Sequence, residues 1–211
     1  AADNIPSKYE LISEPSNKNG TMEADQIVVI YYYGLKDTSV LVHHYIENTE
    51  NKLVEDVIIN GKIDDNYETT VSSDIPDYYE LVQEPENKTG IMVEDQTVVT
   101  YYYKLKEYNY VVNYLEKDTN EILQEQKQGE NYIYGTQIAS NTEKIEIDGY
   151  NYDSVDKETL TITNEENIIN IYYTKRNDLS YQVNYLEKDT NKVLYPQKVQ
   201  DGKKFLETVK A

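Results

Sequence analysis

The chain has 211 residues, a formal charge of −19 and a mean hydropathy of −0.76. That charge argues against nucleic acid and anionic lipid as partners, because both demand clustered Lys and Arg. The absence of cysteine excludes disulfides and thiolate metal sites, and no run of 18 apolar residues is present to insert into a membrane.

Strand signals dominate, and they recur. Residues Ile5–Lys36 end in a β-branched and aromatic run, Gln26–Tyr33 (QIVVIYYY), which predicts a strand. A hairpin is predicted next over Leu41–Val54, turning through Glu47–Asn51, and the stretch after Gly61 has room for one short helix. Ile75–Lys106 then repeats Ile5–Lys36 at an offset of 70 without a gap, with 20 of 32 positions identical, and ends in the strand Gln96–Tyr103. A second hairpin follows: Tyr110–Glu116, a turn at Asp118-Thr119-Asn120, and a return strand Glu121–Lys127. Another short helix fits after Gly129, and Asn167–Thr174 is the third copy of the aromatic strand. NYLEKDTN of Asn113–Asn120 returns unchanged at Asn184–Asn191 inside a third hairpin, Tyr181–Leu194. A period of about 70 residues means small modules in series, each with a modest core. Tyrosine supplies the bulk: there are 23 Tyr, one Phe and no Trp.

Alternation with a period of two assigns faces. Ile169, Ile171 and Tyr173 are predicted to face the core, as are Val99, Tyr101 and Tyr103, and Val29, Tyr31 and Tyr33. The opposite face carries Ile30, Thr100 and Asn170, followed by Tyr32, Tyr102 and Tyr172. In the hairpins, Val112 and Tyr114 share a face. Matching the acidic turns sets His43-His44 against Val112-Asn113 and Val183-Asn184.

The connections Lys36–Ser39, Lys104–Asn109 and Thr174–Ser180 are too short for a parallel crossover. Module boundaries are therefore placed there: 1–37 as the second half of a module, 38–106 and 107–176 as whole modules, and 177–211 as the first half of another. The rival phase starts modules near Ile5, Ile75 and Ile145. In the first phase the half-modules at the two ends expose strand edges, which predicts either that Asn177–Ala211 of one copy completes Ala1–Asp37 of the next in head-to-tail self-association, or that these ends are mobile.

Ile75-Pro76, Tyr79-Glu80-Leu81, Asn87 through Gly90 and Asp95-Gln96 before Val99-Thr100-Tyr101-Tyr102-Tyr103, with Tyr45, Gly61 and Tyr67 upstream, resemble the MucBP (mucin-binding protein) repeat of Gram-positive surface proteins. Ile5-Pro6, Tyr9-Glu10-Leu11, Asn17 through Gly20 and Asp25-Gln26 repeat the pattern. In the third copy Asp148-Gly149-Tyr150 replaces Ile-Pro-Gly-Tyr and the Asn-x-x-Gly turn is missing near Thr161–Asn164; Asp77 and Asp64 stand where the family prefers Gly. The resemblance implies a mainly β (α+β) fold of tandem β-grasp or ubiquitin-like modules in an elongated array. It also implies an extracellular, cell-wall-associated adhesin with mucin or other glycans as partners. The alternative is a stalk that projects a separate binding domain.

The ligand-binding candidates are Tyr32, Tyr102 and Tyr172, whose rings can stack on sugar C–H faces while an array multiplies weak contacts. The plainer reading is cross-strand packing. His43 and His44 point to opposite faces and cannot chelate one metal together. The turns Glu47–Asn51, Glu116–Asn120 and Glu187–Asn191 lack the EF-hand spacing and read as ordinary turns. The 39 acidic residues offer carboxylate pairs, but solvated acids on thin modules supply neither the cleft nor the raised pKa that glycoside hydrolysis needs. The expectation is therefore a non-enzyme with no cofactor and no metal, and no isopeptide pairing is deducible.

Overall fold

A computed structural model describes residues 4–23 and 25–210. The chain divides into two units, Ala1–Leu105 and Lys106–Ala211.

The first unit contains β1 (Tyr9–Ser13), β2 (Tyr32–Leu35), β3 (Asp37–Ile46), β4 (Val57–Lys62), β5 (Asn66–Glu68), β6 (Tyr79–Gln83), β7 (Thr89–Ile91) and β8 (Thr97–Leu105). A four-stranded sheet has the order β4-β3-β8-β6. Its central pair is parallel, with Val40 opposite Thr97 and Ile46 opposite Tyr103, and its outer pairs are antiparallel. The long excursion from β3 to β8 permits that parallel pair, since a tight turn cannot make one. Strands β5 and β7 form a separate antiparallel ribbon. Tyr67 of the ribbon and nearby Met92 close a core over Val40, Val42, Val99, Tyr101 and Tyr103.

The second unit repeats the plan. It contains β9 (Glu107–Glu116), β10 (Ile122–Ile133), β11 (Gln137–Ala139), β12 (Tyr150–Val155), β13 (Thr159–Thr161), β14 (Ile168–Lys175), β15 (Leu179–Leu186) and β16 (Val193–Lys203). The sheet order is β10-β9-β14-β12, again with a parallel central pair, and β11 with β13 forms the ribbon. Ile138, Leu160 and Ile162 close the core over Tyr110, Val112, Tyr114, Ile169, Ile171 and Tyr173. The predicted alternation therefore holds in both whole sheets. The cores are thin, and tyrosine fills them with its hydroxyl at the edge: Tyr101 meets Thr69 at 2.9 Å, Tyr114 donates to the Glu143 carbonyl at 3.1 Å, and Tyr173 donates to the Ile145 carbonyl at 2.8 Å.

Four expectations need correction. Gln26–Tyr33 is not a strand throughout. Only Tyr32–Leu35 pairs, with β1, and Val29 is 40% exposed rather than core. The same sequence type is extended in β8 because β3 lies beside it there, so a partner strand decides the outcome rather than intrinsic preference. No helix forms after Gly61, where β5 and turns follow. After Gly129 there is a single 3-10 turn, Ser140–Glu143, so the described residues contain no α-helix. The return from the first hairpin turn is β4, some ten residues beyond Ile46, with only an isolated bridge between Tyr45 and Lys52.

The fourth correction concerns the alignment of the hairpins. The amide of Glu47 donates to the Tyr103 carbonyl, and that of Lys117 donates to the Tyr173 carbonyl. The Thr49 hydroxyl accepts from the Asn51 amide, and the Thr119 hydroxyl from the Glu121 amide. The equivalent positions are thus Glu47 and Lys117, and His44 and Tyr114, one residue away from the match suggested by the acidic turns.

Candidate functional site

The outward face of β8 places Thr100 and Tyr102 on the floor of a cleft of 810 Å³ in the first unit. One wall is the turn Glu47, Asn48, Thr49 and Glu50. The other is the exit from β6, from Val82 and Gln83 to Glu84, Pro85 and Glu86. Each wall has a local cause. Asn48 adopts φ +57, a left-handed conformation that Asn tolerates, and the Thr49 hydroxyl donates to the Ile46 carbonyl at 2.9 Å, which fixes the turn. A shift in pairing between Leu81 and Gln83 bends the end of β6. Asn87 donates to the Val98 carbonyl at 2.9 Å and pins the loop beyond Pro85 to β8. Asn17 ties to Val28 in the same way.

Tyr102 is 44% exposed. Glu84 pairs with Lys88, while among the described residues Glu47, Glu50 and Glu86 make no ion pair. Beside the cleft, the His43 ring stacks on Tyr45 with centroids 5.0 Å apart, and His43 Nδ1 lies 2.8 Å from Asp56. Hydrogen bonds from Lys52 and then His43 hold the Asp56 carboxyl below the usual range. His44 points inward, as its alternation with His43 requires, and is buried against Tyr101 at a ring separation of 5.1 Å. Burial pushes its imidazole below its ordinary pKa.

The three candidate tyrosines are not equivalent. Tyr32 is 62% exposed and pairs with Ser13. Tyr172 is half-buried between β9 and β12, opposite Leu115 and Ser154. In the second unit, Lys117 and Asp153 stand at the positions of Glu47 and Val82, and they join at 2.6 Å across the place where the first unit is open. Asn170, at the position of Thr100, is held by Asn113 at 2.8 Å and by Asp156 at 3.1 Å. The sequence pattern identified the outward tyrosines but not the cleft walls, which depend on loop conformation; Val82 against Asp153 was the available signal. Among the described residues no group of three His, Asp or Glu side chains is placed to hold a metal ion, and no helix is long and apolar enough to cross a membrane.

A chain of β modules repeated in tandem, each with a mixed sheet covered by a ribbon, is defined by these features. The MucBP domain model matches residues 1–34, 39–104 and 110–174, and the chain belongs to the MucBP domain family. It is 31% identical over 175 residues to Internalin J of Listeria monocytogenes serotype 4b (strain F2365), covering 80% of this chain and 18% of that protein. It is 28% identical over 213 residues to Internalin J of serovar 1/2a (strain ATCC BAA-679 / EGD-e), covering 96% of this chain and 24% of that protein. The chain thus spans under a quarter of the length of these curated relatives. A solved structure described as "Crystal structure of Mub-RV" aligns with 65% of this chain and 98% of its own, at 12% identity and a TM-score of 0.26.

Proposed function

We propose that the chain is the non-catalytic repeat region of a bacterial cell-surface adhesin that binds mucin or related glycans weakly per module, with Tyr102 as the principal contact. The observation that carries this reading is an exposed aromatic ring on the floor of a cleft of 810 Å³. Such a ring offers a sugar a stacking surface, and the cleft offers hydrogen-bonding walls. Membership of the MucBP family supports the glycan class and the surface setting. Tyr32 is a second contact by exposure, and Tyr172 a minor one.

The module phase that fits this reading is 1–37, 38–106, 107–176 and 177–211. It is supported by sheets whose hydrogen bonds close within residues 37–105 and 107–175. A β-grasp ancestry fits the parallel central pair, with the ribbon in place of a helix.

The second reading is a stalk that projects a separate binding domain. It is favoured by the Lys117–Asp153 bridge, since a site shared by all modules would stay open in each. Immobilised mucin and a glycan array, probed with the protein and with Tyr32, Tyr102 and Tyr172 all changed to Ser, separate the two. Binding by the protein that falls at least fivefold in the triple variant supports the adhesin. No binding at high density leaves the stalk.

A further inference from the structure

We infer that the Tyr102 cleft accepts an uncharged saccharide and rejects sugars carrying sialic acid or sulfate, and that of the two whole modules only residues 38–105 offer it. This rests on the glycan-binding reading and narrows it. Glu47 and Glu50 on one wall and Glu84 and Glu86 on the other frame the ring. Ionised carboxylates accept hydrogen bonds strongly, and sugar hydroxyls are donors. The same carboxylates repel a ligand carboxylate or sulfate within a Debye length of roughly 8 Å at physiological salt. Lys88 pairs with Glu84 and offsets that charge, so the repulsion comes from Glu47, Glu50 and Glu86, which make no ion pair among the described residues. In the second unit the Lys117–Asp153 bridge spans the corresponding space.

The test compares one neutral oligosaccharide core with its sialylated and sulfated forms on an array, at 50 mM and 500 mM salt, using the protein, Tyr102→Ser and Tyr172→Ser. The expected result is at least threefold stronger binding of the neutral core at low salt, a gap that narrows at high salt, loss with Tyr102→Ser, and little change with Tyr172→Ser. Equal or preferred binding of the acidic forms, still lost with Tyr102→Ser, overturns the charge selection while leaving Tyr102 as the contact. Binding indifferent to Tyr102→Ser, or none at all, overturns both.

Discussion

The imidazole of His44 lies 2.9 Å from the hydroxyl of Tyr103, and both are buried in the first unit's core. Neither group is paired with a formal charge there. Burial raises the Tyr103 pKa to about 12 and lowers that of His44. His43 adds to the lowering of His44, and the Asp56 carboxylate opposes it.

This pair sets a pH dependence. The folded state binds a proton at His44 less readily than the unfolded chain does. In the window below the unfolded value of about 6.5 and above the depressed folded value, the unfolded state holds more protons, so stability falls as pH falls. Urea midpoints of the first unit measured from pH 7.5 to 5 should decline, with the slope reduced in His44→Tyr. That variant installs the residue found at the equivalent Tyr114.

Gly129 sits opposite Tyr110 in the β9–β10 ladder, and a Cβ added there would lie 1.9 Å from the Tyr110 ring. Tyr110 is anchored by its own hydroxyl to Glu143 at 3.2 Å, and Glu143 by Lys127 at 2.6 Å. The ring cannot yield cheaply. Gly129→Ala should cost about 1–3 kcal/mol, read as a lower unfolding midpoint in the second unit.

Leu206 adopts φ +63, a conformation that costs a side-chain-bearing residue roughly 1–2 kcal/mol. The equivalent positions are Asp64, at φ +73, and Gly135, at φ +84. Leu206→Gly should stabilise the β15–β16 segment by about 1 kcal/mol after the extra chain entropy of glycine is offset, seen as slower amide exchange there. Asp64→Gly should gain less. Asp tolerates this region better than Leu, and the change removes the Asp64 ion pair with Lys8 at 2.6 Å.

Replacing Lys117 by Glu and Asp153 by Val transfers the first unit's cleft residues to the second. The lost ion pair is half-exposed and screened by solvent, so the unfolding midpoint should change little. A second saccharide site should appear in titration calorimetry, doubling the stoichiometry if Tyr172 then serves as Tyr102 does.

How much of this was legible in the residues depended on range. The core faces of β8 and β14 could be read directly, because alternation is local and both strands are covered on one side only. The failure at Gln26–Tyr33 came from the opposite circumstance, since that segment's extended form needs a neighbour which residues 1–37 do not supply. The hairpin match slipped by one because glutamates were aligned; the threonine that bonds back to the turn amide is the group the backbone recognises. Tyr102 was identified by its face. Its cleft was not, because the turn at Asn48 and the bend after Leu81 meet only in three dimensions.

The parallel pairing of β3 with β8 also governs how the module carries tension. The chain enters at the start of β3 and leaves at the end of β8, and these points lie at opposite ends of two strands that run the same way. A pull along the polypeptide therefore slides one strand past the other and loads the whole ladder from Val40 to Ile46 at once, instead of opening it bond by bond. Parallel placement of β9 and β14 gives the neighbouring module the same resistance to shear.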